Sequence, residues 1–120
     1  MYEWRALILR RENNSSCTER AARREQAVQA ARAAMRAVMP HFPSVAKAYL
    51  FGSVTRPGAM RRDSDIDIAI EGHLTAEEYF ALWRDLERAM PGWLIDVVEL
   101  DQDLLFAGRV RESGELIYER

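Results

Sequence analysis

The sequence predicts an α/β fold, a small mixed β-sheet with helices packed on one face, and three observations predict it. Segments whose apolar residues alternate with period two are interleaved with segments of helical period, the pattern of a layered α/β chain. Two boxes of the form Ser/Thr-x-x-Glu, at Ser16 and Thr75, mark helix starts. Proline follows both long helical stretches, at Pro40 and at Pro91-Gly92, where it halts the ladder of backbone hydrogen bonds.

At 120 residues the chain has room for one packed core. It divides into an N-terminal helical extension, residues 1–40, and a compact unit, residues 41–120. Residues 1–11 hold a short apolar run, Trp4 to Leu9, too brief to assign to helix or strand. From the Ser16 box, Ala21, Val28, Ala31, Met35 and Val38 recur at helical spacing among arginines, so a helix is expected from Ser16 to Met39. Val45–Phe51 reads as a buried strand that stops at Gly52-Ser53, and Arg56-Pro57-Gly58 prevents a long helix after it. Asp65–Glu71 alternates acidic or small residues with Ile66, Ile68 and Ile70, the period of a strand with one face in the core. Thr75-Ala76-Glu77-Glu78 opens a helix whose inner face is Tyr79, Leu82, Trp83, Leu86 and Met90. Trp93–Leu100 is a third strand, Asp103–Glu112 a short helix, and Leu116–Tyr118 a last extended piece.

Composition excludes several classes. Apolar residues form 48% and charged residues 30% of the chain, a globular rather than a disordered balance. No stretch approaches the roughly 18 apolar residues of a membrane span, and no signal-peptide pattern precedes the fold, so a cytoplasmic setting is expected. A lone cysteine, Cys17, cannot close an internal disulfide. The net charge of −2 is split between an arginine-rich first 40 residues and an acidic remainder, which argues against direct nucleic-acid binding by the body and leaves the basic segment as a docking face or a solvated helix.

The chemistry lies in the carboxylates. Asp65 and Asp67 are two apart on a strand and so project to the same side, about 6.6 Å from one another. Carboxylates placed together repel unless a cation joins them, and magnesium is a hard cation that prefers such oxygens while keeping positions for water and phosphate. Asp96 interrupts the apolar run Trp93-Leu94-Ile95-Asp96-Val97-Val98, where a carboxylate needs a partner or a metal. In Gly52-Ser53, glycine lets a phosphate approach the backbone while the serine hydroxyl and the amides after it can bind phosphate oxygens. Arg61 and Arg62, in the intervening loop, could reach a triphosphate as well. A calcium loop starting at Asp63 fails, because Ile68 takes the place of its glycine and Leu74 that of its closing glutamate. No P-loop is present, and His41 and His73 share no metal-ligand spacing.

Phe51-Gly52-Ser53, then Ser64-Asp65-Ile66-Asp67-Ile68, then Asp96 resembles the minimal nucleotidyltransferases of the DNA polymerase beta superfamily over roughly residues 45–118. The resemblance implies a nucleotidyltransferase fold and transfer of a nucleoside monophosphate, AMP from ATP, to a hydroxyl. It assigns two Mg2+ ions to Asp65, Asp67 and Asp96, with Asp96 also assisting the nucleophile, and the triphosphate to Gly52 and Ser53. Members resembling this chain are paired with HEPN-domain toxins and act as antitoxins by adding AMP to a toxin tyrosine, which implies a HEPN-domain partner. The alternative is a non-catalytic module of the same fold that neutralises a partner by occlusion. One departure is local: eleven residues separate Ser53 from Asp65, where the family usually has ten. An extra residue in a surface loop adds little closure entropy.

Overall fold

The computed structural model describes residues 2–56, 59–60, 64–100 and 104–120, with side-chain surroundings described from residue 19 onward except at 104. The elements run α1 (Tyr2–Val38), a 3-10 turn (Met39–His41), β1 (Val45–Phe51), a second 3-10 turn (Gly52–Thr55), β2 (Ile66–Gly72), α2 (Ala76–Ala89), β3 (Ile95–Glu99), α3 (Leu104–Ser113) and β4 (Glu115–Glu119).

The expected strands and helices are present, with shifted edges. The largest shift concerns α1, which passes through the Ser16 box instead of starting there. Asn13-Asn14-Ser15-Ser16 are mediocre helix formers, but each costs only about 0.7 kcal/mol or less against alanine, and a helix already running on both sides absorbs that. The Thr75 box does start a helix: its hydroxyl accepts from the Glu78 amide at 3.1 Å, and Glu78 Oε1 accepts from the Thr75 amide at 3.1 Å. Glu78 also accepts the Ser44 hydroxyl proton, tying the helix start to the approach to β1.

The sheet order is β3-β2-β1-β4. β2 pairs antiparallel with β1 and parallel with β3, while β4 adds antiparallel to the far side of β1. The parallel pair needs a crossover, and α2 supplies it. Ile66, Ile68 and Ile70 of β2 point to one face together with Leu50, Ile95 and Val97. Ala27, Val28, Ala31, Ala34 and Met35 of α1 and Leu82 and Leu86 of α2 cover them. A register shift between Val45 and Lys47 lets Val45 and Ala48, three positions apart, both join this core. The buried stripe of α1 differs from the one expected: Ala21 is exposed, and Ala27 and Ala34 take its place nearer the sheet.

α1 and α2 thus cover one face, and α3 takes the other. Tyr49, Ala69 and Leu100 pack there against Ala107 and Val110, and Phe51 meets Phe106 edge-on with centroids 5.5 Å apart. The helix is anchored at its far end by the Arg111–Glu71 ion pair, whose carboxylate also accepts from the Tyr49 hydroxyl.

Candidate active site

Strand periodicity decides which way the aspartates face. Ala69 belongs to the α3-side core, so Asp67, two residues before it, projects to that side. Val98 packs on the same core, and Asp96 is two residues before it. In the ladder Phe51 lies opposite Asp67, and Asp67 opposite Asp96, so one row across three strands reads Phe51, Asp67, Asp96. Adjacent strands are about 4.8 Å apart, which brings the two carboxylates side by side.

Asp65 sits one residue ahead of β2 rather than within it, and is exposed. Likewise β3 begins at Ile95, after Trp93 and Leu94, and the half-buried Asp96 lies on an edge strand instead of deep in the core. The three carboxylates remain electrostatically joined. Burial, then the charge of Asp96, then that of Asp65 push the Asp67 carboxyl up to about 6. Asp96 also reaches Tyr79, whose hydroxyl donates to the Val97 carbonyl and is made less acidic by burial first and by Asp96 next.

Gly52 abuts this row. Its φ is +78°, a conformation that costs other residues about 1–2 kcal/mol, and a Cβ placed there would lie 2.2 Å from Asp67 Oδ2. Glycine is therefore required twice, for the turn and for the carboxylate beside it. The turn that follows holds its own carbonyls. Thr55 Oγ1 donates to the Gly52 carbonyl at 2.7 Å, the Arg56 amide to that of Ser53 at 3.1 Å, and Arg24 Nε of α1 to that of Val54 at 3.0 Å. Ser53 is half-buried on this turn.

The donor set fits hard divalent cations, being carboxylate oxygens at one end of a parallel strand pair with an open approach at exposed Asp65. Among the described residues no three His, Cys, Asp or Glu side chains form a ready cluster for an ion. Arg61, Arg62 and Pro57 lie outside the described residues. His41 and His73 are both exposed, at the ends of elements. Sequence reasoning missed the Arg24 contact, thirty residues from its acceptor, and the Phe51–Phe106 pair beside the carboxylates. No spacing rule links either pair.

Comparisons with known proteins bear on the family and the fold. Residues 34–120 match the family described as polymerase beta, nucleotidyltransferase. No curated protein gives a match. Among solved structures, a toxin-antitoxin complex with AMP-PNP is similar at 25% identity and a TM-score of 0.62, covering 74% of this chain and 73% of that one. A tri-AMPylated Shewanella oneidensis HEPN toxin in complex with its MNT antitoxin aligns at 21% identity and a TM-score of 0.57, covering 78% and 73%. A candidate nucleotidyltransferase from Sulfolobus solfataricus aligns over 88% of both chains at 21% identity and a TM-score of 0.53.

Proposed function

This chain belongs to the polymerase beta nucleotidyltransferase family, and we propose that within it the protein moves AMP from ATP onto a tyrosine hydroxyl of a HEPN-domain toxin, as that toxin's antitoxin. The observation that carries the reading is the row Phe51, Asp67, Asp96 with Gly52 against the Asp67 carboxylate, because it sets two acidic groups beside the turn proposed to hold phosphate.

Asp65, Asp67 and Asp96 would hold two magnesium ions, which when bound neutralise charge on the triphosphate and acidify the attacking hydroxyl. The remaining steps belong to the chain. Ser53 and the amides of the Gly52–Thr55 turn bind phosphate oxygens and fix the triphosphate for in-line attack. Asp96, on the edge strand and only half-buried, receives the proton of the incoming hydroxyl. The acceptor's oxygen then bonds to the α-phosphorus as pyrophosphate leaves. With one small sheet occupied by this site, the surface that selects the acceptor comes from a partner, and the neighbours solved with HEPN toxins support that class of partner. No helix among the described residues is long and apolar enough to cross a membrane.

The docking face proposed for α1 is confined by the packing. Arg24 and Arg32 are engaged within the chain, and the Arg23 guanidinium stacks over Trp93 at 4.6 Å. Among the α1 arginines whose surroundings are described, Arg20 and Arg36 are the exposed ones. The test is to incubate the protein with ATP, magnesium and its HEPN-domain neighbour and weigh the neighbour. A gain of whole AMP units is expected. An inactive but unmodified neighbour in tight complex would replace this reading with occlusion by a non-catalytic module.

A further inference from the structure

Arg24 lies in the part of α1 that precedes the family-matched residues 34–120, yet its guanidinium reaches into the Gly52–Thr55 turn. The acceptor is the carbonyl of Val54, a fully buried residue, and the bond is 3.0 Å long. With the Gly52 and Ser53 carbonyls taken by Thr55 and Arg56, Arg24 supplies the third carbonyl contact that fixes the peptide planes of this turn. One residue earlier, Arg23 rests on Trp93, three positions before Asp96. Adjacent arginines of one helix thus grip the two segments that deliver the site, the Gly-Ser turn and the entry to β3.

We infer that Arg24 is a positioning residue for nucleotide binding, holding the Gly52–Thr55 turn through the Val54 carbonyl so that its amides stay aligned for phosphate. The inference rests on the proposed reading that Gly52 and Ser53 bind the triphosphate. A turn of four residues has few bonds of its own, and removing a charge-assisted one lets its peptides rotate before ligand arrives. The ordering then has to be supplied by the nucleotide, so affinity falls while the chemical step changes less.

Two substitutions separate this bond from packing and charge. In Arg24→Gln the amide nitrogen occupies the same position along the side chain as Nε, keeping a donor without the charge. Arg24→Met keeps a stem of similar length with no donor. Arg32→Ala is the control: it removes another α1 tether, the Arg32–Glu115 pair on β4 opposite Leu50, which makes no bond to a carbonyl of the turn. Each is titrated with AMP-PNP and magnesium, and amide hydrogen exchange is followed across residues 52–56 without ligand. Arg24→Met should bind AMP-PNP about tenfold more weakly, raise KM more than it lowers kcat, and exchange faster in the turn. Arg24→Gln should recover most of the affinity, and Arg32→Ala should bind like wild type. Wild-type affinity and exchange in folded Arg24→Met overturn the inference. Equal weakness of the Gln and Met variants also overturns it, because charge rather than the bond would then be responsible. Faster exchange in Arg24→Met with no nucleotide binding by wild type would retain the brace and instead refute the proposed nucleotide site.

Discussion

At the scale of residues, Asp67 concentrates the conflict between folding and the proposed chemistry. Its carboxyl is pushed up to about 6 from 3.8 by burial and by Asp96 and Asp65. Below about pH 4 it is protonated in both the folded and unfolded chain and contributes no difference. Between about 4 and 6 the unfolded chain releases the proton first, so metal-free stability falls as pH rises, and above 6 the penalty is fully present. Thermal melts in excess chelator should therefore show a loss across that window in wild type that Asp67→Asn lacks. A matching slope in the Asn variant would refute the assignment. The same substitution, and Asp65→Asn, should abolish AMP transfer with the fold intact, whereas Ser53→Ala should weaken nucleotide binding more mildly, as a transfer assay against ATP concentration would show. Gly52→Ala should lose about 1–2 kcal/mol from the positive φ alone, measurable by urea unfolding, and transfer should fall with it as the new methyl displaces the Asp67 carboxylate.

At the scale of elements, α2 is held at its start by the Thr75 box and along its length by Leu82 and Leu86. Thr75→Ala should cost about 1 kcal/mol in urea unfolding and leave AMP-PNP affinity unchanged, because the cap faces away from the aspartate row. Leu86→Ala empties a fully buried position and should cost about 2–5 kcal/mol in the same experiment. β2 and β3 show how legible elements were. Ile66, Ile68 and Ile70 declared the strand and its core face from the sequence, and the structure shifts the strand by one residue, to Ile66–Gly72, leaving Asp65 just outside. Trp93 and Leu94 looked like strand because they are apolar, but they sit before the ladder begins, where the Leu94 carbonyl accepts the Ile66 amide and Trp93 carries Arg23. Local apolarity does not distinguish a strand from the apolar lead into one.

At the scale of the whole molecule, the sequence by itself determined the alternation of helices and strands, the core face of β2 and the start of α2, and it marked Gly52, Ser53, Asp65, Asp67 and Asp96 as the candidate site. All of these follow from period, capping chemistry and residue type, which act over a few neighbouring positions. Tertiary structure decided the rest. It set Asp96 in register with Asp67, gave α3 the face opposite α1 and α2, and brought Arg24 onto the Val54 carbonyl thirty residues away. It also carried α1 through a box that locally reads as a helix start, since once a helix is running, a few tenths of a kcal/mol per residue do not stop it. Strand order and long-range side-chain contacts depend on how separate apolar faces are shared among elements, and no local pattern encodes that division.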